Sequence, residues 1–247
     1  MNKQDKTRTV LWAAVMLGVT LLLSRTATAQ MYTLRHTLLD PTPTVEDGFG
    51  WSVALDGGRA LIGAPNDDTQ GTNVGQAYLF DAASGALLRT FDDPTPTSGD
   101  WFGSGVGLDG NRVLIGAVYD DTLGVDVGQA HLFDGTSGTL LQTYNDPTPT
   151  TADWFGLFMA LDGDRVLVGA PKDDTQGANV GQAYLFDTTS GSLLHTFDDP
   201  TPTGEDGFGS RWMALDGNRA LIGARLDDSQ GTNVGQVHLF DTVSGAL

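Results

Sequence analysis

Four acidic doublets are the residues best suited to chemistry in this chain: Asp67-Asp68, Asp120-Asp121, Asp173-Asp174 and Asp227-Asp228. Paired carboxylates on a loop can hold a hard cation, and calcium is the candidate because it takes oxygen ligands. Loop carbonyls and Asn73, Asn179 or Asn233 would complete such a site, with Asp126 at the matching place in the second case. The same pattern also suits an Asx-type turn, in which a carboxylate receives a backbone N–H and stays solvated. Another series, Asp47, Asp100, Asp153 and Asp206, stands two residues before a Phe. An Asp there can accept backbone N–H groups and fix the approach to a strand. Trp51, Trp101, Trp154 and Trp212 lie near the same Phe residues. Exposed, they could stack on sugars or anchor a protein partner; buried, they would pack one structural unit on the next.

Other chemistries find little support. The chain has no Cys, hence no thiol nucleophile, disulfide or Cys-ligated metal. It has no H-E-x-x-H motif, and no His is placed with a recurring Ser as a catalytic triad needs. Gly105–Gly110 spells G-x-G-x-x-G, but a dinucleotide loop needs that pattern between a strand and a helix. Here it falls in an expected strand and hairpin. His131 and His238 take the place of Tyr78 and Tyr184, and His36 and His195 that of Arg89 and Gln142, so all four read as strand side chains.

What must position these residues is a repeat. Asp-Pro-Thr-Pro-Thr begins at Asp40, Asp93, Asp146 and Asp199, always 53 residues apart, and Phe-Gly recurs in step at Phe49, Phe102, Phe155 and Phe208. The fourth unit alone carries an inserted residue, near Arg211. Each unit holds four strand-like runs. In the first unit Phe49–Leu55 alternates large apolar side chains, as a half-buried strand does. Asp56-Gly57 is a hairpin signal. Arg59–Ala64 is a short apolar run, typical of a strand buried on both faces. Gln76–Phe80 and Ala86–Phe91 follow, and Asp93-Pro94 ends the unit because Pro cannot donate to a ladder. Four short antiparallel strands per unit predict an all-β fold, a β-propeller of four-stranded blades. The units are 40–92, 93–145, 146–198 and 199–247.

Phe49-Gly50 followed by Gly63-Ala64-Pro65, and Phe155-Gly156 followed by Gly169-Ala170-Pro171, resemble the FG-GAP repeat of the integrin α-chain propeller. The second unit has Gly116-Ala117-Val118 and the fourth Gly223-Ala224-Arg225 in the second half of the motif. The resemblance spans residues 40–247 and implies a propeller used for extracellular recognition or adhesion. It implies calcium at a multi-carboxylate loop between the FG and GAP strands. Here that place holds only Leu55–Arg59, with one carboxylate, so the family's calcium site does not transfer and little response to calcium is expected. The chain is similar to a shorter, bacterial-type variant of the repeat.

Residues 1–29 read as a secretory signal peptide. Lys3, Lys6 and Arg8 precede an apolar run from Val10 to Leu23, and Ala27-Thr28-Ala29 forms an A-x-A cleavage site. That run is shorter than the roughly 20 residues of a spanning helix. A secreted, periplasmic or cell-surface location is expected, with no stable membrane span after cleavage. The formal charge of −18 disfavours nucleic acid and anionic lipid. The reading is a non-catalytic binding or adhesion module, without cofactor unless calcium binds, for an extracellular protein or glycan. Its alternatives are a propeller enzyme acting on glycans, or a fragment of a larger adhesion protein. Thr33–Leu39 aligns with Ala86–Asp92, the fourth strand of a unit, while the fourth unit stops at Leu247 before such a strand. The expectation is that residues 30–39 supply a strand to the last unit, pairing near Val237–Phe240 and closing a four-bladed ring. The competing picture is part of a larger, seven-bladed propeller.

Overall fold

The computed structural model describes residues 34–247; the expected signal segment and residues 30–33 lie outside the described residues. Fifteen strands follow one another, and every pairing is antiparallel. The first sheet is β1 (Ser52–Asp56), β2 (Arg59–Ala64), β3 (Gln76–Asp81) and β4 (Leu87–Asp92). The second is β5 (Phe102–Asp109), β6 (Arg112–Ala117), β7 (Gln129–Asp134) and β8 (Leu140–Asn145). The third is β9 (Met159–Asp162), β10 (Arg165–Ala170), β11 (Gln182–Asp187) and β12 (Leu193–Asp198). The fourth has three strands, β13 (Phe208–Asp216), β14 (Arg219–Ala224) and β15 (Gln236–Asp241). No helix occurs among the described residues, and so none that could cross a membrane. The fold is all-β and propeller-like: β1, β5, β9 and β13 stand beside one another in chain order.

The core lies between sheets. Leu61, Ala77 and Leu79 of the first sheet meet Phe102, Val113, Ile115 and Phe133 of the second. Second meets third, and third meets fourth, through the same positions. Each such Leu, Val, Ile or Phe side chain contributes about 1.5–3 kcal/mol by leaving water. The FG-GAP residues form the closest contact. The carbonyl of Gly103 lies over Gly63, that of Gly156 over Gly116, and that of Gly209 over Gly169, so close that a Cβ would sit 2.0 Å from the oxygen. A bulge follows the Phe of β5, and a longer one in β13, between Phe208 and Met213, absorbs the inserted residue at Arg211. The G-x-G-x-x-G segment runs along β5 into a hairpin, with no helix after it.

The expected ring closure is not made. Residues 34–39 form no strand, and β15 pairs with β14 alone. Residues 36–39 instead keep the contacts of a fourth strand toward the sheet that follows them. His36 Nε2 lies 2.7 Å from the Ala83 carbonyl, as Gln142 Nε2 donates to Thr189 and Arg89 to Thr136. Leu38 packs on Ile62, Tyr78 and Phe80. These local contacts hold the segment without a partner strand. Val53 and Leu55 are exposed on the first sheet, although their equivalents Val106 and Leu108 pack between sheets. Leu221, Val237 and Leu239 are exposed on the fourth, although Leu61, Ala77 and Leu79 are buried.

Candidate functional site

The acidic residues come together in threes, and the grouping differs from the expected doublets. One carboxylate oxygen from each of Asp40, Asp47 and Asp67 lies within 4.8 Å of the others. Asp93, Asp100 and Asp120 repeat the cluster, as do Asp146, Asp153 and Asp173; the fourth sheet groups Asp199, Asp227 and His238. Only the first member of each doublet takes part. Asp67, Asp120, Asp173 and Asp227 are buried, whereas Asp68, Asp121, Asp174 and Asp228 are exposed. The exposed member closes an Asx-type turn: Asp68 Oδ1 accepts the Asn73 N–H at 2.7 Å and Asp121 Oδ1 the Asp126 N–H at 2.8 Å. Asn73, Asp126, Asn179 and Asn233 therefore serve through their left-handed backbone, φ 51–53°, rather than as side-chain ligands.

Asp-Pro-Thr-Pro-Thr is the scaffold of the cluster. Its first Asp receives the N–H of the next-but-one Thr, as Asp93 Oδ1 does from Thr95 at 2.8 Å. That Thr hydroxyl then donates to the buried doublet Asp, Thr95 to Asp120 at 3.2 Å and Thr148 to Asp173 at 3.0 Å. The second Thr, Thr97 or Thr150, donates its N–H and hydroxyl to Asp100 or Asp153. Asp40, Asp93, Asp146 and Asp199 were read from the sequence only as strand ends. They join a residue 27 or 28 positions downstream, so no local spacing signals the pairing; the one available sign was a motif repeated without change.

Burial, with two carboxylates close by, pushes the Asp93 and Asp146 carboxyls up to about 7. Burial also raises Asp100 and Asp153. A carboxyl raised in the fold adds stability that is complete below its ordinary value, 3.8, and is lost as pH rises through about 7. Asp146→Asn is therefore expected to raise the melting temperature at pH 8 in the presence of a chelator, and to change it little near pH 4. Differential scanning fluorimetry across that range checks this, and a variant less stable than the wild type at pH 8 would refute it.

The short hairpin between FG and GAP strands uses its single carboxylate elsewhere. Asp56 Oδ2 accepts the Gly110 N–H of the next sheet at 2.8 Å, and Asp109 and Asp162 do the same to Gly163 and Gly217. These groups lock sheet to sheet.

A second feature lies beside the Phe-Gly corners. Trp51 meets Trp101 edge to face at 5.7 Å, Trp101 meets Tyr119 at 4.9 Å, and Tyr119 meets Trp154 at 6.1 Å. The run crosses three sheets and ends where Lys172 Nζ sits 3.6 Å over the Trp154 ring. Next to it opens a cavity of about 380 Å³ lined by Trp154, Lys172, Arg211 and Arg225 among others. Trp212 stands apart in β13, largely exposed. Trp101 and Trp154 have φ 57° and 61°, at the position where the first and fourth sheets place Gly48 and Gly207.

Repeated four-stranded blades stacked through Phe-Gly and Gly-Ala corners define a propeller-type repeat protein. The description FG-GAP repeat matches residues 35–80, 95–133 and 149–186, and the chain is an FG-GAP repeat protein. No curated protein matches the sequence. Among solved structures, the computationally designed Ika8 protein is similar over 78% of this chain, at 17% identity and a TM-score of 0.46. The match spans 45% of the designed chain, so this protein corresponds to less than half of that one.

Proposed function

We propose that this protein is an exported, non-catalytic binding module whose aromatic face holds a glycan carrying acidic groups. One observation carries the reading: two Trp side chains of a continuous aromatic run occupy left-handed backbone. A bulky residue in that region costs on the order of 1–3 kcal/mol. The two other blades show the unstrained solution, Gly48 and Gly207, at the same position. Trp101 and Trp154 thus hold their place for what their rings do. Flat, partly exposed indoles suit sugar rings, which present C–H groups to an aromatic face.

The charge pattern selects the ligand class. The chain is strongly acidic, yet Lys172, Arg211 and Arg225 gather at one cavity beside the last ring of the run. An anionic group there meets three cations against one carboxylate, Glu205, while the rest of the surface repels it. Export rests on the basic-then-apolar segment 1–29. The non-catalytic reading rests on the carboxylate clusters, which recur as three Asp in three of the four blades and are tied to threonines.

The test is a tryptophan fluorescence titration with uronic-acid or sulfated oligosaccharides against neutral ones of equal length. Saturable, salt-sensitive quenching by the acidic set is expected. Trp101→Gly should weaken binding at least about tenfold while leaving the melting temperature equal or higher, because Gly relieves the strained φ. Absence of binding, or unchanged affinity in that variant, would overturn the assignment.

A further inference from the structure

We infer that a second copy of this chain covers the fourth blade: its first blade docks there, and its residues 36–39 supply the fourth strand that β13, β14 and β15 lack. The inference depends on neither the aromatic face nor its ligand.

The molecule builds this kind of contact within itself, between each sheet and the next. One sheet presents a Leu-Ala-Leu set from its second and third strands, such as Leu61, Ala77 and Leu79. The next lays two residues of its opening strand on that set, here Val106 and Leu108. The third and fourth sheets bring Met159 with Leu161, and Met213 with Leu215, to the same place. Half a contact is left over at either end. Val53 and Leu55, the opening pair of the first sheet, are 69% and 73% exposed. Leu221, Val237 and Leu239, the receiving set of the fourth, are exposed too. Their strand registers match those of the buried sets: Leu221 pairs with Leu239 as Leu61 does with Leu79, and Val53 with Ile62 as Val106 does with Ile115. Apolar surface gathered in this way marks an interaction site.

The backbone repeats the pattern and narrows the partner to another blade of this kind. Phe102 N–H donates to the Val74 carbonyl at 2.8 Å, Phe155 to Val127 at 2.9 Å and Phe208 to Val180 at 2.7 Å. The Phe49 N–H and the Val234 carbonyl make no such bond among the described residues. Gly63, Gly116 and Gly169 each lie under a glycine carbonyl of the next sheet; Gly223 lies under none, and Gly50 has the carbonyl to offer. Asp216 and the Gly57 N–H likewise lack the bond that Asp56 makes with Gly110. Each unused donor or acceptor on the first sheet has its counterpart on the fourth.

Residues 36–39 already stand where the last strand of a preceding blade stands. Leu38 packs on Phe80 as Phe91 does on Phe133, at 5.2 Å, and Phe197 on Phe240, at 4.8 Å. β15 keeps an open edge, and an open edge is a template for pairing. The pairing of β3 with β4 sets the register: Leu38 beside Val237 and His36 beside Leu239, as Phe91 is beside Ala77 and Arg89 beside Leu79. The contact is heterologous, first blade on fourth, and two copies that each give both halves are the smallest closed set.

The test is the mass of the purified protein by light scattering over a dilution series. The mass of two chains is expected at high concentration, falling to one on dilution, with a melting temperature that rises with concentration. Leu55→Asp and Leu239→Asp place a charge on either half. Each should weaken association at least about tenfold and leave the melting temperature of dilute protein unchanged, since both side chains are exposed in the single chain. Gly223→Ala should weaken association too, although it costs the single chain almost nothing. The chain has no Cys, so His36→Cys mixed with Leu239→Cys should form a disulfide-linked pair that neither variant forms alone. A wild type that stays single at every concentration, a pair that both charge variants leave intact, or a mixture that does not crosslink overturns the inference.

Discussion

Gly116→Ala is expected to destabilise the protein by about 3 kcal/mol, and Gly223→Ala is expected to cost almost nothing. Both residues are the first Gly of a Gly-Ala pair in a second strand, β6 and β14. A Cβ on Gly116 would lie 2.0 Å from the Gly156 carbonyl oxygen and 2.8 Å from its carbon. That neighbour is backbone, itself bonded through its N–H to the Gly169 carbonyl, so it cannot turn aside as a side chain can. The blades must separate to admit the methyl group. On Gly223 the nearest atom to a Cβ is the Trp212 carbonyl oxygen at 3.5 Å, an ordinary contact, because among the described residues no further sheet lies against β14. The smaller entropy of an unfolded chain with Ala there offsets any remaining loss. Urea denaturation of the two variants reads the difference, and similar midpoints would refute the role assigned to the motif.

Phe102→Ala should cost about 3–5 kcal/mol, against less than about 0.5 kcal/mol for Arg89→Gln. Phe102 is fully buried between the first and second blades, edge to face with Phe133 at 6.1 Å. Truncation leaves a cavity that the glycine contact beside it cannot collapse to fill. Arg89 donates to the Thr136 carbonyl from a half-buried place on the outer strand β4, and Gln142 makes the same bond to Thr189 at 2.9 Å. Glutamine therefore supplies the donor that the site uses. Chemical denaturation of both variants, with equal losses, would contradict this packing.

The strands, their antiparallel order and the blade unit were legible in the residues because strand chemistry is local. Arg59–Ala64 is apolar and short, Asp56-Gly57 turns, and Asp93-Pro94 stops; none of these needs a distant partner to declare itself. Repetition did the rest, since one blade cannot bury both faces and four in step can bury each other's. Where the first blade's strand begins was less legible. The alternation from Phe49 predicted a strand there, but β1 starts at Ser52, whereas the equivalent β5 and β13 do start at their Phe.

Three matters were decided only by the tertiary structure. The acidic doublets were visible, but which member is buried in the cluster and which forms a turn depends on Thr95 and its equivalents, brought from 25 or 26 residues away. The aromatic run crosses blades, so no spacing along the chain shows that Trp51, Trp101, Tyr119 and Trp154 touch while Trp212 does not. The closing strand expected of residues 33–39 carries the right side chains, yet residues 36–39 are held by Ala83, Ile62 and Phe80 of the first blade. A pattern of side chains specifies what kind of surface a strand can cover. Which surface it covers is settled by competition between contacts, and the nearer one orders less chain.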